Sequence, residues 1–356
     1  MRKIARTLQI EWLEDRCVPA GTVTIIGWGA GNINIIGDAL ANDVDVTGSS
    51  PSQLTITGNA GTTLNSAGVP AAWVSSSTST QVIINLPSPL VLGQLFINLR
   101  AGNDIVNIFN VTAGGSIIIV PGDGDDQVKM GADVTLKALL IRETLGDDFV
   151  QLDNVKARDP SWISLSAGND KLLIAGAGTV FDSDLTILMG AGSDFLHFIP
   201  GVSRIMGNLL IDTSAVQGDG GDTVLVDYAV NPTDPPTLFV NGNTTILTGN
   251  GADKIIFGAG PGMGRSAILG VPNQGVNPSV SIIMGNQSDK IFASRVGFSV
   301  LNAQLGAGDD TVLNNWGAAS VSVAPGSVLN GGPHFMGDTL PSGWTAPPNL
   351  TVTGFP

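Results

Sequence analysis

The chain is poor in the residues that crosslink proteins and carry out most side-chain chemistry. Its 356 residues include one cysteine and two histidines, and charged residues make up only 13%. The lone Cys17 excludes an intramolecular disulfide framework. Zinc is a poor fit for the same reason, because it prefers histidine and cysteine ligands. Packing, together with any ions held by oxygen ligands, must therefore stabilise the fold.

Basic residues and long apolar runs are also scarce. Sixteen Lys and Arg residues stand against 30 Asp and Glu residues, which gives a net charge of −14 and a pI near 4.3. Phosphate recognition needs clustered Lys and Arg, so the charge argues against nucleic acid and anionic membrane surfaces as partners. No run of about 18 apolar residues exists, so no transmembrane segment is predicted. We expect cations or neutral surfaces as partners.

Glycine and β-forming residues take the place of helix formers. Glycine accounts for 47 residues, and Thr, Val, Ile, Asn and Ser fill much of the remainder. This composition favours many short strands joined by glycine turns. The length alone permits one to three ordinary domains or a single elongated repeat array.

A short motif recurs along the chain: a glycine turn, an aspartate and then alternating apolar residues. The stretch GAGDDTVLNN from Gly306 to Asn315 is one of nine copies. The first four aspartates are 22 residues apart and the later spacings are 24, 28, 31, 36 and 21 residues, which indicates loops inserted into a constant unit. The nine aspartates are Asp104, Asp126, Asp148, Asp170, Asp194, Asp222, Asp253, Asp289 and Asp310.

Apolar residues keep fixed positions relative to these aspartates. The residue two places after the aspartate is apolar in all nine copies, and the residue one place after is polar in six, which predicts a half-buried strand. The residue seven places before is isoleucine in seven copies, which predicts a second strand entering the turn. The two sets are Val106, Val128, Val150, Leu172, Leu196, Val224, Ile255, Ile291 and Val312, and Ile97, Ile119, Ile141, Ile163, Ile187, Ala215, Ile246, Ile282 and Ala303.

A unit of about 22 residues with two or three short strands cannot bury its own apolar face. Coils stacked at an interstrand spacing of about 4.8 Å give a continuous core. We therefore predict an all-β fold, a right-handed parallel β-helix (solenoid) of about 22-residue coils. A β-roll or a β-sandwich is the alternative, although sandwich hairpins would not keep one motif at one phase.

The chain divides into four segments on this interpretation. Residues 1–21 are a targeting or capping segment, and 22–95 are irregular first coils in which the aspartate loses its phase at Asp43. Residues 96–340 are the regular repeats. Residues 341–356 are too proline-rich to continue the stack and are predicted to cap its open end, because an exposed strand edge invites pairing with other chains.

The N-terminal segment lacks the uninterrupted apolar stretch of a secretory signal, because Glu11, Glu14 and Asp15 interrupt it. Its core LEDRCVPA resembles a short LEDRxVPA segment found at the start of large predicted surface proteins of planctomycete bacteria. This resemblance, which covers about twenty residues, implies an exported bacterial protein, secreted or at the cell surface. A short amphipathic capping helix is the alternative.

The repeat resembles the calcium-binding nonapeptide of RTX proteins, in which turn carbonyls and an aspartate hold Ca²⁺ between neighbouring coils. Glycine stands two places before the aspartate in eight of nine copies, but the motif occurs once per coil rather than every nine residues, and Gln287 replaces the glycine before Asp289. The resemblance implies Ca²⁺ as the cofactor, with Asp104, Asp126, Asp148, Asp170, Asp194, Asp222, Asp253 and Asp310 as ligands.

Electrostatics gives an independent reason to expect cations. Stacked carboxylates roughly 5 Å apart repel by about 3 kcal/mol at an effective dielectric constant near 20. Calcium accepts carboxylate and carbonyl oxygens, which such a turn offers. The alternative is a plain Asx-type turn in which each aspartate accepts backbone N–H groups, with Lys171, Lys254 and Lys290 helping to neutralise the column.

No catalytic fingerprint accompanies the fold. The sequence has no GxSxG, HExxH, P-loop or dinucleotide motif, and its arginines fall at different phases of the repeat. We expect His197 and His334 to be surface residues. The sequence predicts a non-catalytic structural or adhesive protein, with polysaccharide or cell-surface components as partners. A β-helix polysaccharide lyase or hydrolase, or a carbohydrate-binding module using Trp162, Trp316 or Trp344, is the alternative.

Overall fold

The described part of the chain is built from β-strands. A computed structural model describes residues 21–355 apart from 177, 202, 216–218, 228–232, 234, 260–265, 271–277, 314–320 and 334–348. These residues form 35 strands and no helix. Accordingly, among them no helix is long and apolar enough to cross a membrane.

The strands are short. In the first half of the chain they are β1 (Thr22–Trp28), β2 (Asn32–Ile36), β3 (Asp43–Ser50), β4 (Gln53–Gly58), β5 (Thr63–Gly68), β6 (Val74–Ser77), β7 (Gln81–Asn85), β8 (Leu95–Asn98), β9 (Ile105–Phe109), β10 (Ile117–Val120), β11 (Gln127–Gly131), β12 (Val134–Leu136), β13 (Leu139–Arg142), β14 (Phe149–Asp153), β15 (Val155–Ala157), β16 (Ser161–Ser164) and β17 (Lys171–Ala175).

The second half continues in the same style. Its strands are β18 (Val180–Phe181), β19 (Leu185–Leu188), β20 (Phe195–Phe198), β21 (Ser203–Ile205), β22 (Leu209–Asp212), β23 (Thr223–Asp227), β24 (Leu238–Val240), β25 (Thr244–Gly249), β26 (Lys254–Ala259), β27 (Ala267–Leu269), β28 (Ser279–Met284), β29 (Lys290–Ala293), β30 (Val296–Phe298), β31 (Val300–Gln304), β32 (Thr311–Leu313), β33 (Val321–Ser322), β34 (Ser327–Asn330) and β35 (Leu350–Thr353).

Three long sheets run along the stack. The first has 14 strands, the second 13 and the third eight, and each regular coil from β10 to β33 gives one strand to each sheet. One coil consists of β13 in the first sheet, β14 in the second and β15 in the third. Successive coils pair in parallel and in register. For example, Val128 of β11 pairs with Val150 of β14, 22 residues later in the chain. The all-β parallel solenoid is confirmed, and its right-handed sense stays a prediction.

The core consists of inward-facing columns that extend from coil to coil. The nine apolar residues two places after the aspartates are all buried and aligned, with at most 1% of their surface exposed. The isoleucine column is buried in the same way. One predicted member is wrong, because Ile211 rather than Ala215 pairs with Ile187 and Ile246. Extra residues between Ile211 and Asp222 displace Ala215 from the strand.

The segment predicted as irregular first coils has a different construction over much of its length. Strands β2 and β3 lie parallel to β8 and β9 and complete a coil. Strands β1 and β2 are antiparallel, however, and so are β3 with β4, β4 with β7, and β6 with β7. Apolar residues alternate with a period of two in parallel and in antiparallel strands alike, so this pattern does not distinguish a hairpin from a coil of the solenoid.

The far end of the stack also differs from the prediction. Strand β35 lies within the proline-rich segment that was expected only to cap the stack. It pairs in parallel with β34 and extends the first sheet by one more strand. Predictions for residues 1–20, His334, Trp316 and Trp344 lie outside the described residues.

Candidate functional site: the aspartate ladder

The repeated aspartates form one continuous ladder at the turn between the first and second sheets. The backbone N–H of each aspartate donates to Oδ1 of the aspartate in the following coil. The nine hydrogen bonds, of 2.7 to 2.9 Å, begin at the N–H of Asn42 and end at Oδ1 of Asp310. The ladder aspartates are buried, with no more than 2% of their surface exposed.

The backbone of each aspartate is bonded to the same neighbouring coil. The carbonyl oxygen of Asp126 accepts the N–H of Phe149 at 2.9 Å, and that of Asp148 accepts the N–H of Lys171 at 2.8 Å. Each aspartate therefore holds the next coil through two hydrogen bonds, one to its own N–H and one to its carbonyl. The side chain of the next aspartate acts as the acceptor that the first needs.

Glycine precedes the aspartate by two positions because neighbouring turns approach closely there. Gly146 has φ of +129°, where a residue with a side chain is strained. A Cβ added at Gly168 would lie 1.7 Å from the carbonyl oxygen of Gly146. The glycines therefore allow the stacking distance that the ladder needs.

A second, exposed ladder runs in the opposite direction at the same turn. Here the N–H group of one coil donates to the side chain of the coil before it, at 3.1 Å from Asp125 to Asn103 and 3.0 Å from Asp147 to Asp125. Asn169 and Ser193 continue this ladder. The residue before each ladder aspartate showed no constant chemical type in the sequence, so the sequence analysis did not single it out.

Burial raises the pKa of the inner carboxyl groups. From Asp104 to Asp289, loss of solvent is the largest cause at each ladder aspartate, and the hydrogen bond from the preceding coil lowers the pKa only in part. The pKa rises to about 7 for Asp104, Asp126, Asp170, Asp194 and Asp222 and to about 8 for Asp148 and Asp289. At Asp148, the carboxylates of Asp170 and Asp126 raise it further.

The second carboxyl oxygen, Oδ2, is the atom of this site that could bind a ligand. Oδ2 is buried and has no hydrogen-bond partner among the described residues at the aspartates from Asp104 to Asp289. A buried oxygen of this kind needs a proton or a cation. Asp222 and Asp253 are partial exceptions, because the hydroxyls of Thr213 and Thr248 lower their respective pKa values.

All eight predicted ligands lie in the ladder, and two further residues belong to it. Asp289 occupies a full position despite its altered turn, since its Oδ1 accepts the N–H of Asp253 at 2.9 Å. At the start, the residue in phase is Asn42 rather than Asp43. Counting two places back from the buried Val44 would have identified it. The lysines lie on the outer face: Nζ of Lys171 is 5.8 Å from the ring centre of Phe149 and 5.6 Å from that of Phe195.

Sequence reasoning missed one acidic residue in the interior. Glu143 is fully buried, and its carboxylate lies in a cluster with those of Asp126 and Asp148. One ligand atom from each residue falls within 4.8 Å of the others. The signal was present, because the residue five places before the ladder aspartate is apolar in most copies and acidic only here.

His197 takes part in a separate pair on the outer face of the second sheet. Its Nε2 is 3.1 Å from Oδ2 of Asp227, and both side chains are largely buried. The ring also packs edge-on against Phe195 at 5.6 Å. The histidine therefore lies on the outer face of the sheet, as expected of a surface residue, but its neighbours largely cover it. The sequence analysis did not identify Asp227 as its partner.

Comparison with known proteins adds no family to this description. The chain matches no protein-family model, no curated protein and no solved structure.

The ladder makes a prediction for substitutions at Asp170. Asp170→Ala removes the acceptor for the N–H of Asp148, and an unsatisfied buried donor costs about 1–3 kcal/mol. Asp170→Asn keeps an acceptor oxygen and removes a buried charge, so its free energy of unfolding in EDTA should lie within about 1 kcal/mol of wild type or above it. Urea unfolding followed by circular dichroism measures both. Equal damage from the two substitutions would contradict the hydrogen-bond role.

The raised pKa values predict that stability in EDTA falls as the pH rises. The native carboxyls titrate near pH 7 to 8, whereas unfolded aspartates titrate near 3.8. Between these pH values the native state binds more protons than the unfolded state. The stability that the protonated carboxyls contribute is therefore fully present below about pH 4 and is lost as the pH rises through 7 to 8. Thermal midpoints measured from pH 5 to 8.5 test this. A midpoint that rises through this window would rule the prediction out.

Proposed function

We propose that this chain is a non-catalytic, exported structural or adhesive repeat protein whose stacked aspartate turns are stabilised by Ca²⁺. The observation that carries the proposal is the unbroken inner ladder, which links every coil from Asn42 to Asp310. Its carboxylates are buried and bonded to backbone, which suits them to holding coils together rather than to meeting a substrate. The fold then presents long, regular outer faces.

The choice of aspartate over asparagine supports a role for charge. Asparagine offers the same acceptor oxygen, and the exposed ladder uses Asn103 and Asn169 interchangeably with Asp125 and Asp147. Asn42 begins the buried ladder only as a donor, and all nine acceptor positions from Asp104 to Asp310 hold aspartate, although ionised carboxylates are costly to desolvate there. A bound cation gives the carboxylate a function that asparagine lacks.

The donor set fits a hard cation. Each aspartate from Asp104 to Asp289 offers a buried Oδ2 with no other partner among the described residues. Carboxylate and carbonyl oxygens are the ligands of Ca²⁺. Protons compete for the same oxygens, since pKa values of about 7 and 8 leave part of the column protonated near neutral pH.

An apolar row on the outer face of the first sheet supports an adhesive role. Phe96, Ile118, Leu140 and Trp162 are consecutive cross-strand neighbours on β8, β10, β13 and β16. All four face outward, and Trp162 is 46% exposed. A row of this kind offers apolar side chains, two of them aromatic, to the apolar faces of sugar rings. A neutral polysaccharide also suits the acidic charge of the chain.

The adhesive role predicts binding to insoluble polysaccharide through Trp162. Truncation of a central tryptophan costs more than about 1 kcal/mol at binding sites, so Trp162→Ala should raise the Kd about fivefold or more. The neighbouring substitution Thr186→Ala removes no aromatic surface and serves as the matched control. Cosedimentation with cellulose, chitin and peptidoglycan provides the measurement. Equal retention of both variants would remove the support for this surface, and unsaturated sugar products would refute the non-catalytic assignment.

The calcium part of the proposal predicts an ion-dependent melting temperature. At pH 8, the thermal midpoint should rise with CaCl₂ concentration over the EDTA value, because an ion that binds only the folded state adds about 2.7 kcal/mol at 100 times its Kd. Binding along the column further predicts several ions per chain, measured by equilibrium dialysis. Asp253→Asn should lower that number. If neither EDTA nor calcium changes the thermal midpoint, calcium is excluded and the plain hydrogen-bonded Asx-type turn is the explanation that remains.

A further inference from the structure

Glu143 occupies a place in the interior that several other coils fill with apolar side chains and two coils fill with a buried threonine, Thr213 or Thr248. The residue five places before the ladder aspartate is Leu99, Leu165, Met189 or Leu305 in four other coils, and each is completely buried. The backbone is equivalent, since the N–H groups of Leu99, Glu143 and Leu165 each donate to the next strand of the first sheet. A carboxylate has therefore replaced an apolar core residue with no change in the fold around it.

The Glu143 carboxylate is not satisfied by the protein. Neither Oε1 nor Oε2 has a hydrogen-bond partner of ordinary geometry among the described residues. Burial raises the pKa of the Glu143 carboxyl well above its ordinary value, and the nearby backbone N–H of Gly122 lowers it only in part. The other groups acting on it are carboxylates, those of Asp148, Asp126 and Asp170. A buried carboxyl group with only this environment is strongly unfavourable unless something positive joins it.

The neighbouring ladder residues Asp126 and Asp148 bring their carboxyl groups close to that of Glu143. Oδ1 of Asp126 and Oδ1 of Asp148 already accept backbone N–H groups. Their Oδ2 atoms are buried and have no partner among the described residues. One ligand atom each from Asp126, Glu143 and Asp148 lies within 4.8 Å of the other two. Two ligands on opposite sides of one Ca²⁺, each at about 2.3–2.6 Å, are separated by a similar distance.

We propose that Asp126, Glu143 and Asp148 form a specific internal binding site for one divalent cation, Ca²⁺, distinct from the positions of the ladder that lack Glu143. Three carboxylates without histidine or cysteine select a hard cation over zinc. Calcium is favoured over magnesium, because magnesium demands strict octahedral geometry and retains several waters. The site deepens the calcium part of the proposed function and rests on it only for the identity of the ion.

Two substitutions of Glu143 test the site without depending on the rest of the ladder. Glu143→Leu restores the residue type of the other coils, so in EDTA the variant should fold and melt at or above the wild-type temperature. Glu143→Gln keeps the shape and removes the charge. At pH 8, both should lose one equivalent of bound Ca²⁺ in calorimetric titration of the full chain with CaCl₂. Any remaining affinity at this site should be more than tenfold weaker.

Asp253→Asn is the matched control, because Asp253 belongs to the ladder but lies far from Glu143 along the stack. It should retain the Glu143 site. If wild type binds calcium and both Glu143 variants bind the same amount, the Glu143 site is overturned, whereas the proposal of calcium binding along the ladder still stands. A single ion lost only in the Glu143 variants would support this site and refute binding along the column. No calcium binding by the wild type would overturn both, and protons would then satisfy the cluster.

Discussion

The structure depends on finding an acceptor for one backbone N–H group in every coil. Where the chain turns from the first sheet into the second, the N–H of the ladder residue is buried, and a buried N–H without a partner costs about 1–3 kcal/mol. Oδ1 of the next aspartate meets this need at each step, as between Asp148 and Asp170 at 2.8 Å. The acceptor comes from the following coil, so no turn of the ladder is complete by itself.

This dependence explains which parts of the coil vary in length. The turn from the first sheet to the aspartate takes six residues from Val120 to Asp126 and again from Leu247 to Asp253. One longer coil places its extra residues outside this turn, in the connection of β23 to β24. Asp222 follows a longer turn, and its N–H and Oδ1 keep their ladder bonds. Insertions are therefore tolerated where no inter-coil hydrogen bond would be lost.

The sequence predicted what repeats and failed where repetition ends. The columns that contain Val128 and Ile141 recur at fixed distances from the aspartates, so the parallel coil and its core followed from spacing. The hairpins before β8 have the same alternation, and nothing local distinguishes a partner within the hairpin from a partner one coil away. Asn42 was missed because the pattern was defined by aspartate, although its backbone N–H performs the same function.

Glu143 shows why a single departure from a repeat carries more chemical information than the repeat itself. The ladder aspartates each have a structural reason to be present, since each accepts a backbone N–H. Glu143 accepts no hydrogen bond of ordinary geometry within the described residues, and leucine or methionine fills its position in other coils. An ionised Glu143 adds a third negative charge to those of Asp126 and Asp148, so with all three ionised the interior is more negative here than at a ladder position with two carboxylates alone. Any cation that enters the stack should therefore occupy this coil before the rest of the column.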